Sequence, residues 1–430
     1  MSASASPSPD VAIVGLGRVG LPLALSFADR GLTVLGIDND PERLGAVAAG
    51  RMPFQETGTD ELMARVHDSG RLGTSERVAD AARADAIVLT LGTPSFSHIE
   101  IDMRDIRAAL DDLLPHLRPG HAIVLRSTVA PGTTEFVAGY LERQRGLRPG
   151  IDVHVAHVPE RIATGKFLEE IDTLPCIVGA VGGSESGEHV ARLFDAFDAP
   201  IVQTTPVQAE LAKIWANILR YTHFALPNLL MMDCEQYGAN VFEVIDLINR
   251  EYPRGGIAQP GFTAGTCLRK DFAFSEERSH APGMLLAVSR VNESVPLFLV
   301  EGMRRRLGDL RDRKVAVLGL AFKGDTDDER DSLAHKLVRL LERELADVAV
   351  HDPVVASPTQ PLEAALQEAH VVVVAANHAA FAPRETGAAI SALSAPDCLV
   401  VDPWNHLGSG QVFAFADELA PLATSEVPRS

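Results

Sequence analysis

The stretch VAIVGLGRVGLPLALSFADRGLTVLGID, Val11 to Asp38, constrains the fold of this chain more than any other. An apolar strand-like run enters GLGRVG, a helical pattern runs from Leu21 to Arg30, and a second strand ends on Asp38. Gly15 permits the tight turn, Gly17 lets backbone approach a pyrophosphate, and Gly20 allows close helix–strand packing. Asp38 is placed to accept hydrogen bonds from ribose hydroxyls and to repel a 2′-phosphate, which selects NAD over NADP. The stretch therefore reads as the opening of a dinucleotide-binding α/β domain.

At 430 residues the chain has room for about three domains of ~150 residues. Its hydrophobic fraction of 46% and charged fraction of 23% are those of an ordinary globular protein. A net charge of −19 argues against general nucleic-acid binding, which needs excess Lys and Arg. It leaves anionic small molecules open, because local cations and helix N-termini can hold phosphate. Cys176, Cys234, Cys267 and Cys398 are widely spaced, without a CxxC pair, and read as free thiols, not a disulfide framework or zinc site. The opening MSASASPSPD lacks the apolar core of a signal peptide, and no apolar run reaches the ~18 residues of a membrane span. A cytoplasmic protein without membrane partners is expected.

Strand-like runs at 11–15, 33–38, 86–91, 122–126, 152–156, 176–181 and 200–203 alternate with helical spacing, as in a parallel sheet covered on both faces. From Pro206 to Tyr237 the pattern becomes one long helix, kinked or interrupted near Pro227. Helical segments at about 241–250, 268–279 and 283–307 complete an all-helical middle. The apolar circumference of the long helix needs burial, in a dimer interface or between flanking domains. After LGDLRDRK, strands at 315–319, 348–351, 370–375 and 398–402 alternate with helices near 332–346 and 361–369. The fold class is α/β: two doubly wound Rossmann-like domains joined by a helical domain with one long helix. The expected boundaries are 1–205, 206–308 and 309–430.

The chemistry-bearing residues are few. In GFTAGTCLRKDF, Cys267 follows a glycine-bearing loop where a helical pattern begins. A thiol at a helix N-terminus beside Lys270 has nucleophilic character; the plain alternative is a small buried core residue. A cysteine able to attack a carbonyl, in a chain that binds a hydride acceptor, suggests oxidation through a thioester. Lys213 and Asn217 are four apart, share a helix face, and suit a site where an oxyanion develops, or simply a solvated face. RSTVAPGTT, with Ser127 and Thr128, and the strand end Leu91-Gly92-Thr93-Pro94 offer hydroxyls and N–H groups to a nicotinamide or a water. Glu160 in HVPERIATG ends a strand-like segment and can serve as a general base, while Arg254 and Lys323 lie in Gly-containing segments suited to phosphate.

In their order, GLGRVGLPLA, STVAPGTT, PER, the Lys213–Asn217 pair, GTCLRKD and GLAFKGDTDDERDS resemble the UDP-glucose/GDP-mannose dehydrogenase family over about residues 10 to 405. HVPERIATG and IAQPG look more like its UDP-N-acetylmannosamine branch, CLRKD more like its UDP-glucose branch. The resemblance implies two successive NAD-dependent oxidations of the 6-hydroxyl of a nucleotide sugar, with an NAD domain, a dimerising middle and a UDP-sugar domain. It implies Cys267 as nucleophile, Lys213 and Asn217 as oxyanion stabilisers, and Asp271 acting through a water with that lysine. Glu160 would serve thioester hydrolysis, with Thr128 near the water. Around the cofactor it implies Gly15, Gly17, Arg18, Val19, Gly20, Asp38 and Arg43, with Thr93, Ser127 and Thr128. Around the substrate it adds Arg161, Arg254, Gly261, Lys323 and Arg330 to Glu160, Lys213 and Asn217.

The chain also departs from the family pattern. Ala264-Gly265-Thr266 stands where two adjacent glycines are usual before the cysteine, Arg269 replaces a common proline, Arg18 a tyrosine, and Thr164 a second glutamate. These changes bear on substrate choice and on the second oxidation. Two other readings remain open: a β-hydroxyacid dehydrogenase, which has no counterpart to 310–420, and a nucleotide-sugar- or NAD-binding protein without turnover.

Overall fold

Strands buried on both faces must send alternate side chains into two separate cores, and the strands of this chain do so. The computed structural model describes residues 8–93, 103–263, 265–276, 280 and 282–419. Among them, β1 (Val11–Val14), β2 (Val34–Ile37), β3 (Leu72–Ser75), β4 (Ala86–Leu89), β5 (Ala122–Leu125), β6 (His154–His157), β7 (Cys176–Ala180) and β8 (Ile201–Thr204) make one sheet. Their order is β3-β2-β1-β4-β5-β6-β7-β8. Val11, Ile13, Val88 and Val124 face one core, while Ala12, Val14, Ile87 and Ile123 face the other. Helices α1 (Gly20–Asp29), α2 (Pro41–Ala48) and α3 (Thr59–Ser69) precede α4 (Arg104–Leu113) and α5 (Thr133–Arg145); the short α6 (Phe167–Glu170) and α7 (Ser184–Phe194) follow. Leu21, Met63 and Phe194 of α1, α3 and α7 fill the first core, and Leu110 and Leu141 of α4 and α5 the second.

The helical middle consists of α8 (Pro206–Tyr237), α9 (Val241–Asn249), α10 (Thr266–Glu276) and α11 (Met284–Leu307). Beyond it, β9 (Lys314–Leu318), β10 (Asp347–His351), β11 (Val371–Val374), β12 (Leu399–Val401) and β13 (Phe413–Phe415) form a second sheet in the order β10-β9-β11-β12-β13. Helices α12 (Leu333–Arg343), α13 (Leu362–Leu366) and α14 (Pro383–Leu393) accompany it. Here too neighbouring residues part company: Val315 and Val317 pack with Leu337 of α12, Ala316 and Leu318 with Leu366 and Ile390 of α13 and α14. The chain clusters into two compact units, Met1–Ala216 with Ala273–Arg278 and Asn217–Phe272 with Ser279–Ser430.

The α/β class with a long central helix is as expected, with three differences. Of the kink or interruption expected near Pro227, the interruption is absent: α8 continues through it, since a missing donor inside a 32-residue helix does not end it. The expected parallel order reverses once, because β7 pairs antiparallel with β6. Two edge strands were not anticipated: β3, whose LGTS is short and half polar, and β13, which pairs antiparallel with β12. Edge strands need not be apolar on either face, so hydrophobic pattern underreports them.

Both sheets repeat one device at the end of their first strand. Gly15 and Gly319 each take φ +97°, a left-handed turn that glycine tolerates. The next amide then donates to an aspartate at the end of the neighbouring strand: Leu16 N–H to Asp38 Oδ2 at 2.6 Å, and Leu320 N–H to Asp352 Oδ2 at 2.6 Å.

His157, at the end of β6, is fully buried, and burial drops its pKa from 6.5 to about 3, with the positive charges of Lys213 and Arg126 adding to the effect. It is neutral in the fold and gains a proton on unfolding, so its contribution to stability is lost as pH falls from 6.5 towards 3. The urea midpoint should therefore drop on acidification over that range, and drop less in His157→Phe; identical pH dependence in both proteins would refute the assignment.

Candidate active site

In the first unit the glycine turn is sterically specified. A Cβ on Gly20 would lie 1.8 Å from the Gly15 carbonyl oxygen, whereas one on Gly17 would meet nothing within 4 Å. Thr90 Oγ1 reaches the Gly15 carbonyl at 2.6 Å and holds the turn against β4. α1 begins after Val19 with no side-chain cap; Leu21 N–H turns back to the Gly17 carbonyl at 3.0 Å, and Pro22 brings no N–H to the first turn. Arg18 lies 5.0 Å from the Phe54 ring centroid and donates to the Gln55 carbonyl at 3.3 Å. Asp38 is buried. Besides Leu16 N–H it accepts both carboxylate contacts of Arg43 Nη1, at 2.9 and 3.0 Å, and Asp40 N–H at 3.0 Å. Arg43 also pairs with Asp40.

The loops after β4 and β5 are stitched together. Ser127 Oγ donates to the Leu91 carbonyl at 2.6 Å and Thr93 Oγ1 to the Thr128 carbonyl at 2.8 Å. Both hydroxyl protons are thus given to backbone carbonyls, which leaves the oxygens as acceptors. Thr128 is half-buried, and Pro94 lies outside the described residues. Glu160 is buried: Arg126 Nε donates to it at 3.0 Å, and Ile162 N–H at 2.8 Å. This ion pair, with Arg126 equally buried, was not anticipated. Arg161 turns back to donate to the Pro175 carbonyl. Lys213 is half-buried in α8, near enough to His157 to help depress it.

In the second unit Cys267 is exposed in the first turn of α10, which sets aside the buried-core alternative. Four residues on, Asp271 is fully buried between two donors, Asn217 Nδ2 at 2.6 Å and Lys270 Nζ at 2.8 Å. Asn217 and Asp271, read separately in the sequence, are thus one hydrogen-bonded pair joining α8 to α10. Lys270, expected beside the thiol, is ion-paired with that buried carboxylate. Arg330 is a cation that responds to Cys267. Its pKa is raised first by its fork onto Asp328, at 2.8 and 2.7 Å, and further by the charge of Cys267.

Arg269, standing in place of a proline, spends its guanidinium on Glu293 of α11 and on the Asp331 carbonyl at 3.0 Å. Gly261 is a packing position: a Cβ there would lie 2.3 Å from the Trp404 ring, and its N–H donates to buried Asn228 Oδ1 at 2.9 Å. Arg254 is exposed over Tyr252, and Lys323 is also exposed. Ala264 lies outside the described residues.

Comparison with known proteins gives this geometry its context. The NAD binding domain model of the UDP-glucose/GDP-mannose dehydrogenase family matches residues 9–198, its central domain 207–294 and its UDP binding domain 316–409. The chain belongs to that family. A relative, UDP-N-acetyl-D-mannosamine dehydrogenase of Pyrococcus horikoshii, is 33% identical over 379 residues, covering 86% of this chain and 90% of its own. A solved structure of UDP-D-ManNAc dehydrogenase from Pyrococcus horikoshii matches with a TM-score of 0.85 at 31% identity, covering 92% of this chain and 95% of that one. A UDP-glucose dehydrogenase from Pyrobaculum islandicum matches at 0.81 and 30%, covering 95% and 97%.

The dehydrogenase is an oxidoreductase with NAD as cofactor. Its residues fit that cofactor: open space over Gly17 and a buried carboxylate at Asp38. Among the described residues, no group of three or more His, Cys, Asp or Glu is arranged to hold a metal, and no helix is long and apolar enough to cross a membrane.

The four thiols of the dehydrogenase differ sharply. Burial pushes Cys176 and Cys398 up to about 11 and raises Cys234, whereas Cys267 is exposed. Limiting iodoacetamide at neutral pH should label Cys267 first, read by peptide mass spectrometry, since the thiolate is the reacting species. Prior labelling of Cys176 would contradict this ordering.

Proposed function

We propose that the chain is a UDP-sugar 6-dehydrogenase that oxidises carbon 6 of a UDP-N-acetylhexosamine, or of UDP-glucose, to the carboxylate through a Cys267 thioester. The single observation that carries this reading is the exposed Cys267 in the first turn of α10, with Asp271 buried behind it on Asn217. The UDP binding domain match supports the nucleotide, and the relative named for UDP-N-acetyl-D-mannosamine supports the sugar class. NAD, when bound, takes up hydride from carbon 6 in each of two oxidations.

The chain's own groups do the rest. The ammonium of Lys213 and the amide of Asn217 stabilise the alkoxide of the first oxidation. The Cys267 thiolate then adds to the aldehyde carbon, and the carbonyl oxygen gains a proton, giving a thiohemiacetal. Loss of hydride and of that hydroxyl proton leaves the thioester. Water, oriented by Glu160 and Thr128, adds to it, and the thiolate departs as the carboxylate forms. Arg126 fixes the orientation of the Glu160 carboxylate for that step. Lys323, Arg254 and Arg330 are assigned to the diphosphate and sugar, and Asp38 to the ribose of NAD.

In this reading residues 1–205 bind NAD, 206–308 dimerise and 309–430 bind the UDP-sugar, in the cytoplasm. The dimer rests on an apolar stripe along α8: Leu211, Trp215, Leu219, Leu226 and Leu229 recur at helical spacing and are 37 to 55% exposed.

Two measurements test the proposal. Cys267→Ala should form no uronic acid while its NAD affinity, read by calorimetry, stays that of the parent protein; two NADH per sugar from this variant would overturn the covalent route. Light scattering should give twice the chain mass, falling to one chain in Trp215→Glu/Leu219→Glu, whereas a monomeric parent protein would exclude the dimer.

A further inference from the structure

We infer that Glu210 is a positioning residue that sets Lys213 against the loop between β5 and α5. Three residues before Lys213 on α8, its carboxylate is fully buried and faces the start of α5. Its Oε2 accepts Gly132 N–H at 2.7 Å; its Oε1 accepts Thr134 N–H at 2.9 Å and Thr134 Oγ1–H at 2.6 Å.

α5 has no cap of its own. Its N-cap is Gly132, at φ +91° and without a side chain. The amides that a local Ser or Asp would ordinarily satisfy are taken by a carboxylate from another helix. The N-terminal end of the helix dipole also favours a negative charge there. Burial pushes the Glu210 carboxyl up, and the Thr134 and Gly132 donors oppose it. α8's first turn is also close-packed against β7: a Cβ on Gly179 would lie 2.7 Å from both Ala209 Cβ and the Thr205 carbonyl. Clamped between β7 and α5, the first turns of α8 have one register relative to the loop carrying Ser127 and Thr128.

That register matters because the oxyanion lysine follows in the next turn. In the proposed reaction, on which this inference rests, Lys213 must meet the substrate oxygen while the 127–134 loop stands beside the cofactor. A buried carboxylate bonded to that loop and carried on the lysine's own helix couples the two positions. A displacement of about 1 Å at the lysine is enough to cost roughly 100-fold in rate.

The test uses the full-length protein and Glu210→Ala, Glu210→Gln and Thr134→Val. Glu210→Ala should lower kcat for NADH formation about 100-fold. Its NAD affinity by calorimetry should stay within about twofold, since the glycine turn is untouched. Glu210→Gln keeps one carbonyl oxygen, enough for Thr134 N–H and Oγ1–H but not for Gly132 N–H as well, and should recover part of the loss, to within about fivefold of the parent kcat. If Glu210→Ala does not fold, Thr134→Val removes one of the three donors and should lower kcat by about fivefold at unchanged NAD affinity.

Lys213 itself gives a readout that needs no turnover. Its rate of acylation, followed by peptide mass spectrometry, should change in Glu210→Ala, or in Thr134→Val if that variant must stand in, and change less in Glu210→Gln. Unchanged kcat and Lys213 labelling in the variant read, or equal loss in Glu210→Ala and Glu210→Gln, would overturn the role of Glu210. A parent protein that makes no NADH from any nucleotide sugar would sink the functional reading alone, because the labelling still decides the role of Glu210.

Discussion

Removing a carboxylate from water costs several kcal/mol unless its oxygens find donors, and Asp271 is fully buried. Asn217 and Lys270 each donate to one of its oxygens, so the group is satisfied only when α8 and α10 keep one relative register. Cys267 sits one helical turn earlier on α10, and its placement follows from that bond. The arrangement trades solvation for definition: few alternative packings of α10 would supply both partners at once. The Arg269 fork onto Glu293 and the Asp331 carbonyl ties the same turn of α10 to α11 and to the segment bearing Arg330. Lys336 on α12 joins that network through Glu293. A proline would stiffen the chain at this position; here electrostatic contacts hold it instead.

The two sheets use a common solution at the end of β1 and of β9. A left-handed glycine turns the chain, and an aspartate on the adjacent strand accepts the next amide. The second copy is more heavily fastened. Asp352 also accepts Ala321 N–H and bonds buried His378, and these donors hold its carboxyl well below the usual range against the opposing effect of burial. Ala321 occupies the place that Gly17 holds in the first copy. The open space over Gly17 is therefore a property of the first turn and not of the glycine–aspartate device as such.

What could be read from sequence was whatever is local. Short β-branched runs such as AIVL at β4 and β5, the glycines of GLGRVG, and the loop before Cys267 each declare their conformation within a few residues. Two misses share one physical cause, distance along the chain. Glu210 meets Gly132 across 78 residues, and Arg126 meets Glu160 across 34, so neither partner marks the other. The ion pair of Lys270 with buried Asp271 was likewise not read, although the two are neighbours in sequence. The reversal at β7 is equally invisible, since strand direction is decided by how the chain returns to the sheet. Pro227 is a local signal that does not end α8, which continues ten residues beyond it.

Asp38 and Arg43 carry a consequence for how such a protein can diverge. The guanidinium lies along the carboxylate, with Asp40 as its second anchor, so a positive group already stands where the adenosine ribose is expected. Many folds that change dinucleotide preference must both discard an acid and recruit a base. Here the base is in residence and is held in check by its neighbour. Replacement of Asp38 alone would leave Arg43 anchored only by Asp40, a positive group released at the end of β2 without any new residue being recruited.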